Sequence, residues 1–138
     1  MKDNVLLDSD ILLDFFFKRE PFLDHASKIL NLCAIKAVNG FVTGLIIANT
    51  YYLLRKHFQH KDILADFKIL FTFLDVLIID KSVIISSIDS DFLDFEDALQ
   101  NFSAENNSLI KTIVTRNIKD YKKSKLSVLT PEMFLKTR

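Results

Sequence analysis

Asp8 closes the apolar run Val5-Leu6-Leu7, and a second carboxylate, Asp10, follows two residues later. A short apolar run bounded by polar residues suits a buried strand. Such a strand has no reason of its own to end in a carboxylate. Parallel sheets, however, place ligands in the crevice beyond the carboxyl ends of their strands, and Asp8 falls at such an end. Three later stretches are expected to bring polar side chains to the same edge: the helix opening near Thr43, the acidic run Asp91 to Asp97, and Thr115 to Asp120. Asp94 and Asp97, three apart, share a helix face. If Asp8 and Asp97 meet, their like charges raise the cost of ionising both, and a divalent cation removes that cost. Mg2+ takes oxygen ligands, often one or two carboxylates plus a substrate phosphate. It can also lower the pKa of a bound water and stabilise a phosphoryl transition state. Acids in a first helical turn are also ordinary dipole partners. That plainer role suits Asp94, and to a lesser degree Glu96, better than Asp97, which lies deeper in the helix.

The elements that must position these groups follow from periodicity and punctuation. Ile11 to Phe17 reads as a short helix with Asp8 or Ser9 as N-cap. Pro21 reads as a first-turn proline of a second helix, in which Phe22, Ala26, Ile29, Leu30, Cys33 and Ala37 recur at helical spacing, with Asn39-Gly40 as its stop. Phe41-Val42-Thr43 is a brief strand, Leu45 to Phe58 a helix, Gln59-His60-Lys61 a break, and Ile63 to Leu74 another helix. Val76 to Ile79 is a third strand, ending at Asp80. Short helices follow over Val83 to Ile88 and Asp94 to Phe102. Strands at Ile110 to Val114 and Leu126 to Leu129 precede a final helix opened by Pro131 and running through Leu135. Strands alternating with helices predict an α/β fold, a parallel sheet with right-handed crossovers, in one domain spanning residues 1–138.

Composition excludes several classes. Half of the residues are apolar and 13 are Phe, enough for a sizeable core. Two Gly and two Pro argue against phosphate-cradling loops, a dinucleotide fold and a linker-rich chain. The single Cys33 cannot form an internal disulfide and reads as a small core hydrophobe, which fits a reducing compartment. Three His without a His-Glu-x-x-His or a Cys/His cluster argue against zinc. Ser9 lacks the flanking glycines of a nucleophile elbow. No apolar run is long enough to span a membrane. The chain enters its first strand almost at once, with Asp8 and Asp10 where a secretory signal needs an apolar core, so a cytoplasmic location is expected. Formal net charge is zero, but residues 111–138 carry 8 Lys/Arg against 2 Asp/Glu. That asymmetry suits either an acidic site beside a basic rim or a solvated surface.

The order of motifs resembles a PIN domain, the fold of VapC-type toxins and related metal-dependent ribonucleases. The resemblance rests on Val5-Leu6-Leu7-Asp8-Ser9-Asp10-Ile11-Leu12, on Thr43 through Ala48-Asn49 and Tyr51-Tyr52-Leu53-Leu54-Arg55, and on Asp94-Phe95-Glu96-Asp97-Ala98-Leu99-Gln100. It continues through Ile113-Val114-Thr115-Arg116-Asn117 to Val128-Leu129-Thr130-Pro131-Glu132. It implies a three-layer fold, a parallel five-stranded sheet flanked by helices, with an acidic pocket at the carboxyl edge. It places the metal on the positions of Asp8 and Asp97. The family's other two acidic positions are Asn49 and Asn117 here, a pattern similar to a branch of the family with Asn for the second acid. A more distant likeness, the Asp-x-Asp of haloacid dehalogenase phosphatases, lacks that family's Gly-Asp-rich metal loop.

The expectation is therefore a toxin-like endoribonuclease of a toxin–antitoxin pair, using Mg2+ or Mn2+. Asp8 and Asp97 hold the ion, and Asp120, or Asp94 with Glu96, completes the shell beside Asn49 and Asn117. Thr115, Arg116, Lys119, Lys122 and Lys123 are expected to flank bound RNA. An antitoxin protein and a homodimer are the other expected partners. The alternative is a non-catalytic PIN module that binds RNA or a protein.

Overall fold

Val5, Leu6 and Leu7 are fully buried because β1 (Asp3–Leu7) is the middle strand of a five-stranded parallel sheet. The computed structural model describes residues 2–138. The other strands are β2 (Val38–Thr43), β3 (Leu74–Leu77), β4 (Thr112–Val114) and β5 (Ser127–Leu129), in the order β3-β2-β1-β4-β5. The connections are α1 (Ser9–Phe16) and α2 (Leu23–Ala34), then α3 (Gly44–Leu54) and α4 (His60–Leu70), then α5 (Lys81–Ile88) and α6 (Phe95–Glu105). A 3-10 turn, Ile118–Tyr121, joins β4 to β5, and α7 (Pro131–Lys136) follows. Right-handed crossovers place α1 to α4 on one face. There α1 packs on α2 and α3, and α7 packs on α2. On the other face α5 packs on α6, and α6 meets the 3-10 turn.

Strand order reverses between β1 and β4, so the crevice at their carboxyl ends is the topological switch point. The polar residue that ends a strand often caps the helix that follows. Asp8 accepts from Ser9 N, Thr43 from Ile46 N, Asp80 from Val83 N and Thr130 from Met133 N. Each satisfies an amide that the first helical turn leaves unpaired.

Several element boundaries differ from expectation. Asn39-Gly40 lies inside β2, not at a helix stop. The helix ends earlier, at Ala34, and Lys36 turns the chain with φ 65°. Pro21 precedes the N-cap Phe22 and its peptide bond is cis, so it is not a first-turn proline. α3 stops at Leu54, short of the expected Phe58, and His60 and Lys61 open α4, so the break lies earlier than expected, from Arg55 to the N-cap Gln59. β3 begins at Leu74 and ends at Leu77. It is an edge strand whose only neighbour, β2, reaches its last residue Thr43 opposite Leu77. Ile78 therefore has no strand to pair with and stands 75% exposed.

Candidate functional site

Asp8 leaves β1 with its amide still bonded to Val114 O at 3.0 Å. That bond holds the carboxylate beside the end of β4. Its Oδ1 accepts from Ser9 N at 2.8 Å, and its Oδ2 accepts from the Thr115 hydroxyl at 3.0 Å and the Tyr121 hydroxyl at 3.2 Å. Thr115 is wholly buried. Its hydroxyl also lies 3.3 Å from Asp10 Oδ2, which accepts from Arg116 N at 2.9 Å. Asp10 Oδ1 is buried without a hydrogen-bond partner. Arg116 continues outward to Asp14, so three acids of one chain segment are gathered around the two residues that follow β4.

On the opposite face Asp97 sits in the first turn of α6. Asp94 is the N-cap and accepts from Asp97 N at 3.0 Å. Asp120, on the 3-10 turn, lines one surface pocket with Asp91, Asp94 and Asp97, and Lys119, Lys122 and Lys123 line the same pocket. The Thr43 hydroxyl donates to Gln100 Oε1 at 2.6 Å, tying the start of α3 to α6.

The electrostatics follow from this crowding. Burial raises the Asp8 carboxyl above its ordinary range, opposed by the hydrogen bonds from Ser9, Thr115 and Tyr121, and the Asp120 charge adds to the rise. Burial first, then the charges of Asp8, Asp94 and Asp120, push Asp97 up to about 7. Burial and Asp8 likewise push Asp10 to about 7. The Tyr121 hydroxyl is raised by burial and by the Asp8 and Asp97 charges, so it stays protonated and donates.

The expected ligand set is not assembled as one shell. Among the described residues, no group of three or more His, Cys, Asp or Glu is gathered so as to hold a cation. Asp94 is committed to its helix cap. Glu96 points to the exposed rim, where it accepts from Asn49 Nδ2 at 2.9 Å. Asn117 is exposed at the start of the 3-10 turn, and its amide donates to Thr115 Oγ1. These residues fit a divalent cation only through Asp8 and Asp97, with Asp120 on the pocket wall.

The residues expected to flank RNA fall in different environments. Thr115 is wholly buried and binds carboxylates. Arg116 is partly exposed, and its guanidinium is held by Asp14 and lies over the Phe22 ring at 3.9 Å. Lys119, Lys122 and Lys123 do reach the pocket rim. Asp14 and Tyr121 were not anticipated as polar anchors. The signal for Asp14 was a lone acid inside the apolar run Ile11 to Phe17. An acid buried among Leu and Phe needs a cation.

The chain has the architecture of an open α/β sheet, in which ligands bind at the switch point beyond the carboxyl ends of the strands. The PIN domain family matches residues 4–119, and this chain belongs to it. No protein of curated function matches the sequence. The fold is shared with VapBC2 from Rickettsia felis, solved bound to a DNA fragment from its promoter, at TM-score 0.64 and 16% identity over 91% of this chain and 96% of that one. It is shared with FitAcB from Neisseria gonorrhoeae at TM-score 0.67 and 13% identity, over 93% and 98% of the two chains. VapC20 from Mycobacterium tuberculosis, described as a sarcin-ricin loop cleaving toxin, matches at TM-score 0.60 and 16% identity, over 79% and 86%. At these identities the likeness is one of fold.

Proposed function

We propose that the chain is a toxin-type PIN module that acts by binding, and that its acidic pocket takes a basic side chain of an antitoxin-like protein partner. The observation that carries this reading is the crowding of Asp8, Asp97 and Asp120: burial first, and then the charges of their acidic neighbours, raise the Asp8 and Asp97 carboxyls. An incoming guanidinium relieves that repulsion and offers planar donors matched to carboxylates. Asp8 contributes field more than contact, because its oxygens already accept three internal hydrogen bonds. A groove between α1, α2 and α4, lined by Phe16, Leu23, Leu30, Ile69, Leu70 and Phe73, offers the apolar area that a protein partner needs. The fold is shared with VapBC2 and with FitAB, in keeping with a protein partner.

A second reading is favoured by the same raised carboxyls: a ribonuclease that uses Mg2+ or Mn2+ held by Asp8 and Asp97, with Asp120 and the rim lysines beside the RNA. Mg2+ is commonly held by one or two carboxylates, with water and substrate phosphate in its other positions.

One experiment separates the two. The chain is co-expressed with the product of the neighbouring reading frame, and the free chain is assayed on RNA with Mn2+ and with EDTA. Binding predicts co-elution on size-exclusion chromatography, lost on Asp97→Lys, and no metal-dependent cleavage by the free chain. Cleavage that EDTA stops, and that Asp8→Asn and Asp97→Asn each abolish, establishes the ribonuclease instead.

A further inference from the structure

We propose that the junction of α1, α3 and α4 is a binding surface for single-stranded nucleic acid, separate from the acidic pocket. Three chain segments converge there. Phe17, just after α1, stacks on Phe58 with ring centroids 6.0 Å apart, and meets His57 edge-on at 5.5 Å. Tyr51, near the end of α3, packs edge-on against Tyr52 at 5.1 Å and receives or donates a 2.8 Å hydrogen bond at His60 Nδ1, the first residue of α4. The rings are not sealed into the core: Tyr52 is 68% exposed and Phe58 44%.

Cations are interleaved with these rings. The Arg19 guanidinium lies over the Phe17 ring at 5.3 Å. Arg55 is pinned by donating to Phe58 O at 3.2 Å. Lys18, Lys56 and Lys61 are exposed and make no salt bridge among the described residues. From Tyr51 to Lys61 the chain carries Arg55, Lys56 and Lys61 with no acid before Asp62, although residues 1–110 as a whole hold 16 Asp/Glu against 10 Lys/Arg. A local excess of positive charge inside an acidic segment is a feature that the acidic pocket does not use.

Exposed aromatic faces alternating with unpaired cations have a specific complement: a polyanion that carries flat, apolar, unstacked faces. A single strand supplies both, phosphates for the lysines and bases for the rings. A duplex supplies the phosphates but hides its base faces in the stack. A protein partner is a poorer match, because seating it here means desolvating several unpaired cations, and lysine is depleted from interface cores. Recognition here rests on stacking and charge, which tolerate any sequence.

The test is fluorescence anisotropy with labelled oligouridine and oligothymidine of about 12 nucleotides, within the usual range of single-strand site sizes, and with a duplex of equal length, across a salt series. Both single strands bind and the duplex binds more weakly. Tyr52→Ala weakens binding roughly tenfold, the effect of losing one stacked base, while Tyr52→Phe keeps it and circular dichroism is unchanged. Lys56→Ala combined with Lys61→Ala flattens the slope of log affinity against log salt by about 1.4, two phosphate contacts on a single strand. Preference for the RNA strand assigns a contact to the 2′-hydroxyl, and equal affinity assigns stacking and phosphate contacts alone; both support the surface. No single-strand binding overturns the proposal. So does binding that falls with Lys122→Ala and Lys123→Ala at the pocket rim but is indifferent to Tyr52 and to the Lys56/Lys61 pair.

Discussion

The Arg116 guanidinium and the Asp14 carboxylate meet through two hydrogen bonds, Nε to Oδ2 at 2.7 Å and Nη2 to Oδ1 at 3.0 Å. The Asp14 side chain is 1% exposed and that of Arg116 26%. The pair clamps α1 to the chain leaving β4, and so fixes the spacing of Asp8, Asp10 and Thr115 between them.

Removing the cation leaves a buried carboxylate with only Arg19, at 3.7 Å, as its remaining ion pair. Arg116→Ala is expected to cost about 3 kcal/mol of unfolding free energy, the low end for a broken buried pair. Arg116→Lys should recover little of it, since one ammonium cannot replace a two-pronged donor. Urea denaturation of both variants checks this. A loss under about 1 kcal/mol, the range of exposed pairs, would mean that the clamp is solvated.

The folded protein holds a proton on Asp97 up to about pH 7, against an ordinary value of 3.8. Because the folded state binds the extra proton, stability falls as pH rises from about 4 to about 7 and stays lowered above that. Asp97→Asn removes a charge that burial, and then the neighbouring acids, disfavour. It should raise stability at pH 8 by about 1 kcal/mol, discounted for the group's partial exposure, and change little at pH 4. Denaturation midpoints at the two pH values test the sign. A variant that is less stable at pH 8 refutes the penalty on the Asp97 charge.

Gly40 is required by close approach. A Cβ there would lie 2.6 Å from Cys33 Sγ and 2.8 Å from Leu74 Cδ2. Gly40→Ala should cost about 1–3 kcal/mol through overpacking. Cys33→Ala in the same chain should restore part of it, because the nearest contact is the sulfur itself. A double-mutant cycle on thermal unfolding reads the coupling, and additive losses would place the strain elsewhere.

Thr43 both caps α3, through Ile46 N at 3.1 Å, and donates to Gln100 at 2.6 Å. Thr43→Val conserves the volume but loses the cap and strands a buried amide oxygen. The expected loss is about 2–3 kcal/mol. Thr43→Ser should retain most of the stability. Equal stability of the Val and Ser variants would show that neither bond matters.

The local parts of this protein are written in its sequence. Val5-Leu6-Leu7 ending at Asp8 specified a buried strand, the end of that strand and a helix cap at once, because burial, strand propensity and capping all act over a few residues. Asp94 was legible as an acid at the start of α6, though it proves to be the N-cap just before the helix rather than a residue of its first turn. The order of strands and helices carried the sheet class, since alternation leaves few topologies.

What tertiary structure alone decided are the relationships across long stretches of chain. Asn39-Gly40 has the composition of a turn, yet it is a strand, because β1 offers its backbone to Val38–Phe41 and α2 presses Cys33 against the missing Cβ. Arg116 has the composition of an RNA contact, yet Asp14, 102 residues earlier, holds its guanidinium. Glu96 and Asn49 pair with each other, 47 residues apart. In each case the side chain's local preference was weak. A partner brought close by the sheet, worth a charge-assisted bond or a few ångströms of packing, outweighed it.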